Sequence, residues 1–146
     1  MPVTAFAQAD DVVVSCPDAQ TFMQMLEQGT LNTLPNIRLQ DGIRVQMQHP
    51  DTELDAHSKY IEANGRTGFA CQYYNYVGMV GTAFFLDYQK LDTPDGVFWR
   101  TDWKDSFVEI NVIPNLETIT VCMEQVNDVA VPSPRCPFRK TGNTRD

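Results

Sequence analysis

Apolar residues recur along this chain with two different periods. Near the start, Phe22, Met25 and Leu26 follow the three-and-four spacing of one helix face. Ser15-Cys16-Pro17-Asp18 precedes them as a start signal, with Ser15 as N-cap, Pro17 in the first turn and an acid three residues on, and Gly29 closes the run. The spacing predicts a helix over 17–28. Beyond it the period falls to two. Ile37, Leu39, Ile43, Val45 and Met47 alternate with polar residues, interrupted by Gln40-Asp41-Gly42. A three-residue loop there keeps every apolar residue on one face, which predicts a hairpin.

Ala63-Asn64-Gly65-Arg66 carries the Asn-Gly signal of a second hairpin. A two-residue loop sets Tyr60 opposite Phe69 and continues that face through Cys71 and Tyr73. Segments 68–76 and 82–88 read as central strands, with Gly78 and Gly81 in their connection. Thr93-Pro94-Asp95-Gly96 reads as a turn, 97–101 as a returning strand and 116–124 as the last strand. Pro132, Pro134 and Pro137 are expected to bar a further regular element. The pattern predicts an α+β domain: one N-terminal helix packed on a mostly antiparallel sheet of about five to seven strands, disulfide-stabilised.

At 146 residues this is a single-domain length. The globular unit is expected over 12–138, with 1–11 a residual signal-peptide end or flexible N-terminus and 139–146 a flexible tail. Nineteen acids against eleven bases give a formal charge of −8, which repels phosphate backbones unless bases cluster. The nearest cluster, Arg135, Arg139, Lys140 and Arg145, reads as a solvated tail, so no nucleic-acid partner is expected. Apolar runs such as Thr82 to Leu86 fall far below the roughly 20 residues of a membrane span.

Ala5-Phe6-Ala7 and Ala7-Gln8-Ala9 both fit the small-x-small end of a secretory signal peptide. Cys16, Cys71, Cys122 and Cys136 are even in number and dispersed, with no C-x-x-C pair. That usage fits structural bridges in an oxidising compartment, so the chain is expected to be secreted or periplasmic. Three pairings are open. The preferred one joins Cys16 to Cys71 and Cys122 to Cys136, the second bridge stapling the tail to the last strand.

Two constellations could carry chemistry. His49, Asp51, Glu53, Asp55 and His57 occupy every second position, so an extended strand would place all five potential metal ligands on one face. Pro50-Asp51-Thr52 reads as a turn that breaks this alternation, and a solvated acidic loop is the expectation. The second is aromatic: Tyr73, Tyr74, Tyr76, Phe98, Trp99 and Trp103. Its outward-facing members, with Tyr74, Tyr76, Trp99 and Trp103 as candidates, would form a binding surface. Neither histidine neighbours a nucleophile elbow, and no glycine run fits a P-loop or a dinucleotide fingerprint. No catalytic residue and no cofactor is assigned.

Cys16-Pro17 near the start, Cys71-Gln72-Tyr73 in a central strand and Cys136-Pro137-Phe138 at the end resemble a pattern in small exported bacterial domains of unknown function. The resemblance implies export and bridges, not an activity. The leading expectation is an exported, non-catalytic binding module for a protein or cell-envelope partner, with an acidic protein inhibitor as one version. The alternative is a small secreted hydrolase using paired carboxylates or a metal near 49–57.

Overall fold

The computed structural model describes residues 13–40, 42–49, 51–63, 65–100 and 120–141. Among the described residues the main sheet has seven strands. Arg38–Leu39 (β2), Asp55–Ala63 (β3), Arg66–Asn75 (β4), Gly78–Leu86 (β5), Val97–Arg100 (β7) and Thr120–Val126 (β8) lie in the order β2-β5-β4-β3-β8-β7, and Val129–Pro132 (β9) pairs with β8. A second sheet joins Val13–Val14 (β1), Phe138–Lys140 (β10) and Tyr88–Lys90 (β6), in the order β1-β10-β6. Every strand pair among the described residues is antiparallel. The α+β class with mostly antiparallel sheets therefore holds. The single helix does not: Ala19–Gln28 (α1) is joined by a second helix, Gly42–Gln48 (α2).

Helix α1 starts two residues later than expected because Asp18, not Ser15, is its N-cap. The Asp18 carboxylate accepts from the Thr21 amide at 2.8 Å. At the other end Gly29 takes φ 74°, and the amide of Thr30 donates to the Met25 carbonyl at 2.9 Å, closing the helix as expected.

Segment 42–48 corrects the first predicted hairpin. Arg38 and Leu39 pair with Thr82 and Gly81 of β5, which leaves Ile43, Val45 and Met47 no strand partner there. The chain turns into a helix that buries Gln46 and presses Gly42 against β5, where a Cβ on Gly42 would lie 2.8 Å from the Met79 carbonyl oxygen. Tertiary pairing overrides an alternation that seven residues could satisfy either way.

The second hairpin pairs as predicted, with Ala63 opposite Arg66 and Tyr60 opposite Phe69. Strands β4 and β5 also pair, but their connection is only Tyr76-Val77. Gly78 and Gly81 belong to β5, and a bulge at Tyr73/Tyr74 takes up the buried Val80. The prolines do not exclude later strands: Pro132 ends β9, and Pro137 immediately precedes β10, whose Phe138 is fully buried.

Two core faces result. On one, Phe69, Cys71, Tyr73 and Phe85 lie under α1 and the three-stranded sheet. Phe22 stacks on Tyr73 with centroids 3.9 Å apart, and Phe138 stacks on Phe69 at 4.1 Å. Phe22 comes this close because Gly81 has no side chain; a Cβ there would lie 3.1 Å from the ring. The Cys16–Cys71 bridge ties the approach to α1 onto β4, and Cys122–Cys136 ties the tail onto β8. On the opposite face Ile61, Ala70 and Phe84 form a second cluster. Two closed bridges fit an oxidising compartment. No helix among the described residues is long and apolar enough to cross a membrane.

Candidate functional site

Strand β3 begins at Asp55, so the proposed ligand row is not one strand. The His49 amide bonds back to the Val45 carbonyl at 2.8 Å, continuing the last turn of α2, and the Thr52 amide bonds to the His49 carbonyl at 2.9 Å. His49, Asp51 and Glu53 are exposed on this turn, whereas His57 is fully buried. Of the five, only Asp55 and His57 share a sheet face by strand alternation. Among the described residues no group of three or more His, Cys, Asp or Glu side chains comes together in a way that could hold a metal ion.

What β3 and β4 assemble instead is a buried polar row. His57 lies opposite Gln72 and donates from Nε2 to its Oε1 at 2.8 Å. Lys59, next on the same side, is also fully buried. Tyr74 sits beside His57, ring centroids 5.1 Å apart, and opposite Asp55. Burial lowers the His57 imidazole to about 4; the Gln72 hydrogen bond opposes that shift and the Lys59 charge adds to it. Burial, then the Asp55 charge, pushes the Tyr74 phenol up to about 12. Burial and the neighbouring Glu53 raise the Asp55 carboxyl. At neutral pH His57 is therefore an uncharged imidazole inside the sheet face. Its imidazole has no exposed surface and is hydrogen-bonded within that face.

The surface feature lies at the β4–β5 turn. Tyr76 is 86% exposed and Val77 50% exposed. Their turn is locked by Asn75, whose Oδ1 accepts from the amides of Val77 (2.9 Å) and Gly78 (3.2 Å). The Asn75 side-chain amide donates to Gln46 Oε1 at 2.9 Å. Gln46, fully buried on α2, donates in turn to the Thr52 carbonyl at 3.0 Å and approaches Met23 Sδ at 3.2 Å. One buried amide thus links α1, α2, the 51–54 loop and the turn. On one side of α2, Gln40, Gly42, Val77, Gly78 and Met79 line a hollow of about 290 Å³. On the other, Met23, Leu26, Glu27, Gln46 and Met47 line a groove of about 210 Å³. Met47 is 63% exposed at its rim.

The three aromatic candidates among the described residues lie apart. Tyr76 is displayed. Tyr74 is half-buried against His57 on one sheet face. Trp99, opposite Cys122, is half-buried against Phe69 on the other. Trp103 lies outside the described residues. Sequence reasoning missed Asn75, Gln46 and Met47. Asn75 followed by Tyr-Val-Gly was the available signal, an Asx residue at the head of a two-residue turn. The alternation places Met47 in a strand core, whereas it lies exposed on α2. No family model, no curated protein and no solved structure matches the chain.

Proposed function

We propose that this chain is an exported, non-catalytic binding module that recognises a cationic protein or envelope partner through the Tyr76-Val77 turn. The observation that carries this reading is the display of a tyrosine and a valine on a turn held from behind by Asn75 and Gln46. A rigid aromatic side chain loses little conformational freedom on binding, and tyrosines are enriched among the residues that dominate interface energy. The charge of −8 favours a basic partner and speeds encounter with it. Two bridges suit an extracytoplasmic setting. An acidic inhibitor of a cationic enzyme is one concrete form.

The experiment places a photo-crosslinking residue at position 76, or at the exposed Val129 as control, and exposes each protein to the producer's extracytoplasmic fraction. A basic partner captured from 76 and not from 129 is the expected outcome. Equal capture from both positions, or capture from neither, overturns the reading.

One observation favours the hydrolase alternative: the Asp55 carboxyl, raised by burial and by Glu53 beside it. That reading requires Asp55→Asn to abolish a measurable hydrolysis while leaving the fold unchanged.

A further inference from the structure

The groove between α1 and α2 differs chemically from the turn beside it. Met23 and Leu26, spaced three apart on α1, form one wall, and Met47 on α2 forms the other. At about 210 Å³ it is smaller than the roughly 300–1,000 Å³ of a small-molecule pocket and holds only a few atoms of apolar side chain. Methionine walls adapt to the shape of what enters and are favoured where an apolar knob docks. The charged residues in the groove and on the loop held to it are mostly acids. Glu27 is part of the groove lining. Asp51 and Glu53 flank Thr52, whose carbonyl is bonded to the Gln46 amide at the groove floor. Against these three exposed acids stands one exposed base on α2, Arg44.

We infer that this groove takes an apolar side chain from a basic amphipathic helix of the partner, the lysines or arginines beside that side chain meeting Glu27, Asp51 and Glu53. This rests on the binding-module reading and adds the class of segment recognised. Apolar anchors at three-and-four spacing with flanking bases are the features by which a helix enters such a groove. These carboxylates repel an acidic segment of the same shape.

The test uses the full chain and two labelled synthetic helices, one of leucine and lysine and one of leucine and glutamate, followed by fluorescence anisotropy. The leucine–lysine helix binds and the leucine–glutamate helix does not. Met47→Ser weakens binding by about tenfold, as loss of an anchoring contact does. Glu27→Lys weakens it further at low salt than at high salt, whereas Val129→Ser leaves it unchanged. Equal binding of both helices, or binding of neither, overturns the inference. So does self-association of the protein that Met47→Ser abolishes, which would make a second copy the occupant. The two proposals fail separately. Partner capture at position 76 without peptide binding removes the groove alone. Peptide binding without selective capture at position 76 removes the turn as the anchor.

Discussion

The Phe22 and Tyr73 ring planes lie 8° from parallel with centroids 3.9 Å apart, and the Tyr73 hydroxyl donates to the Pro17 carbonyl just ahead of the same helix. One residue of β4 thereby fixes both the position of α1 and its entry, within reach of the Cys16–Cys71 bridge. Both rings are fully buried. Phe22→Ala should lower stability by about 3–5 kcal/mol, the range for emptying a buried phenylalanine site. Tyr73→Phe keeps the stack but leaves the Pro17 carbonyl short of a donor, and should cost about 1–3 kcal/mol. Urea midpoints at constant m-value check both.

The bridges should contribute unequally. Cys122–Cys136 spans 14 residues and Cys16–Cys71 spans 55. In the chain-entropy model those loops correspond to about 3 and about 4 kcal/mol. Replacing each pair by serines and comparing denaturant midpoints should find the Cys16/Cys71 variant less stable. The intact protein should also weigh about 4 Da less without reductant than with it, two hydrogens for each bridge.

Acid should weaken the fold through His57. Its folded pKa of about 4 lies below the ordinary 6.5, so between those values the unfolded chain binds the proton and the folded chain does not. Stability from the buried neutral imidazole is complete above pH 6.5 and is lost as pH falls towards 4, by about 3 kcal/mol in all. Asp55, with its raised carboxyl, changes in the opposite sense. The informative quantity is therefore the difference between wild type and His57→Gln, in which Asp55 cancels. Denaturation across this pH range should show the variant flatter than wild type; parallel curves would mean that His57 is charged or solvated in the fold.

Much of the fold is legible in the sequence where a local signal and a long-range pairing agree. The register expected from the Asn-Gly signal, with Tyr60 against Phe69, is the one that forms, and so is the preferred cysteine pairing. The residues 37–47 fail because their alternation is short and β5 offers Arg38-Leu39 a better partner than Ile43–Met47 does. The tail departs from the pattern because proline, though it breaks a central strand, is tolerated at the strand ends where Pro132 and Pro137 stand. The candidate site was half legible. Tyr76 is visible as an aromatic in an alternating run, but its exposure depends on a turn of only two residues. The support behind it depends on Gln46, whose burial follows from a helix that the pattern did not predict.

That support can be removed without touching the displayed residues. Asn75→Ala deletes the acceptor for the Val77 and Gly78 amides and the donor to Gln46. It should cost about 1–3 kcal/mol by leaving the buried Gln46 oxygen without that donor. Amide exchange at Val77 and Gly78 should accelerate more than exchange in the centre of β4.

Recognition through the turn is tested most directly by competition for the adduct formed at position 76. Unlabelled wild type and Val129→Ser should suppress that adduct at the same concentration. Tyr76→Ser should need about tenfold more, the loss expected when an interface anchor is truncated. Suppression by Tyr76→Ser at the wild-type concentration would contradict the turn as the recognition element.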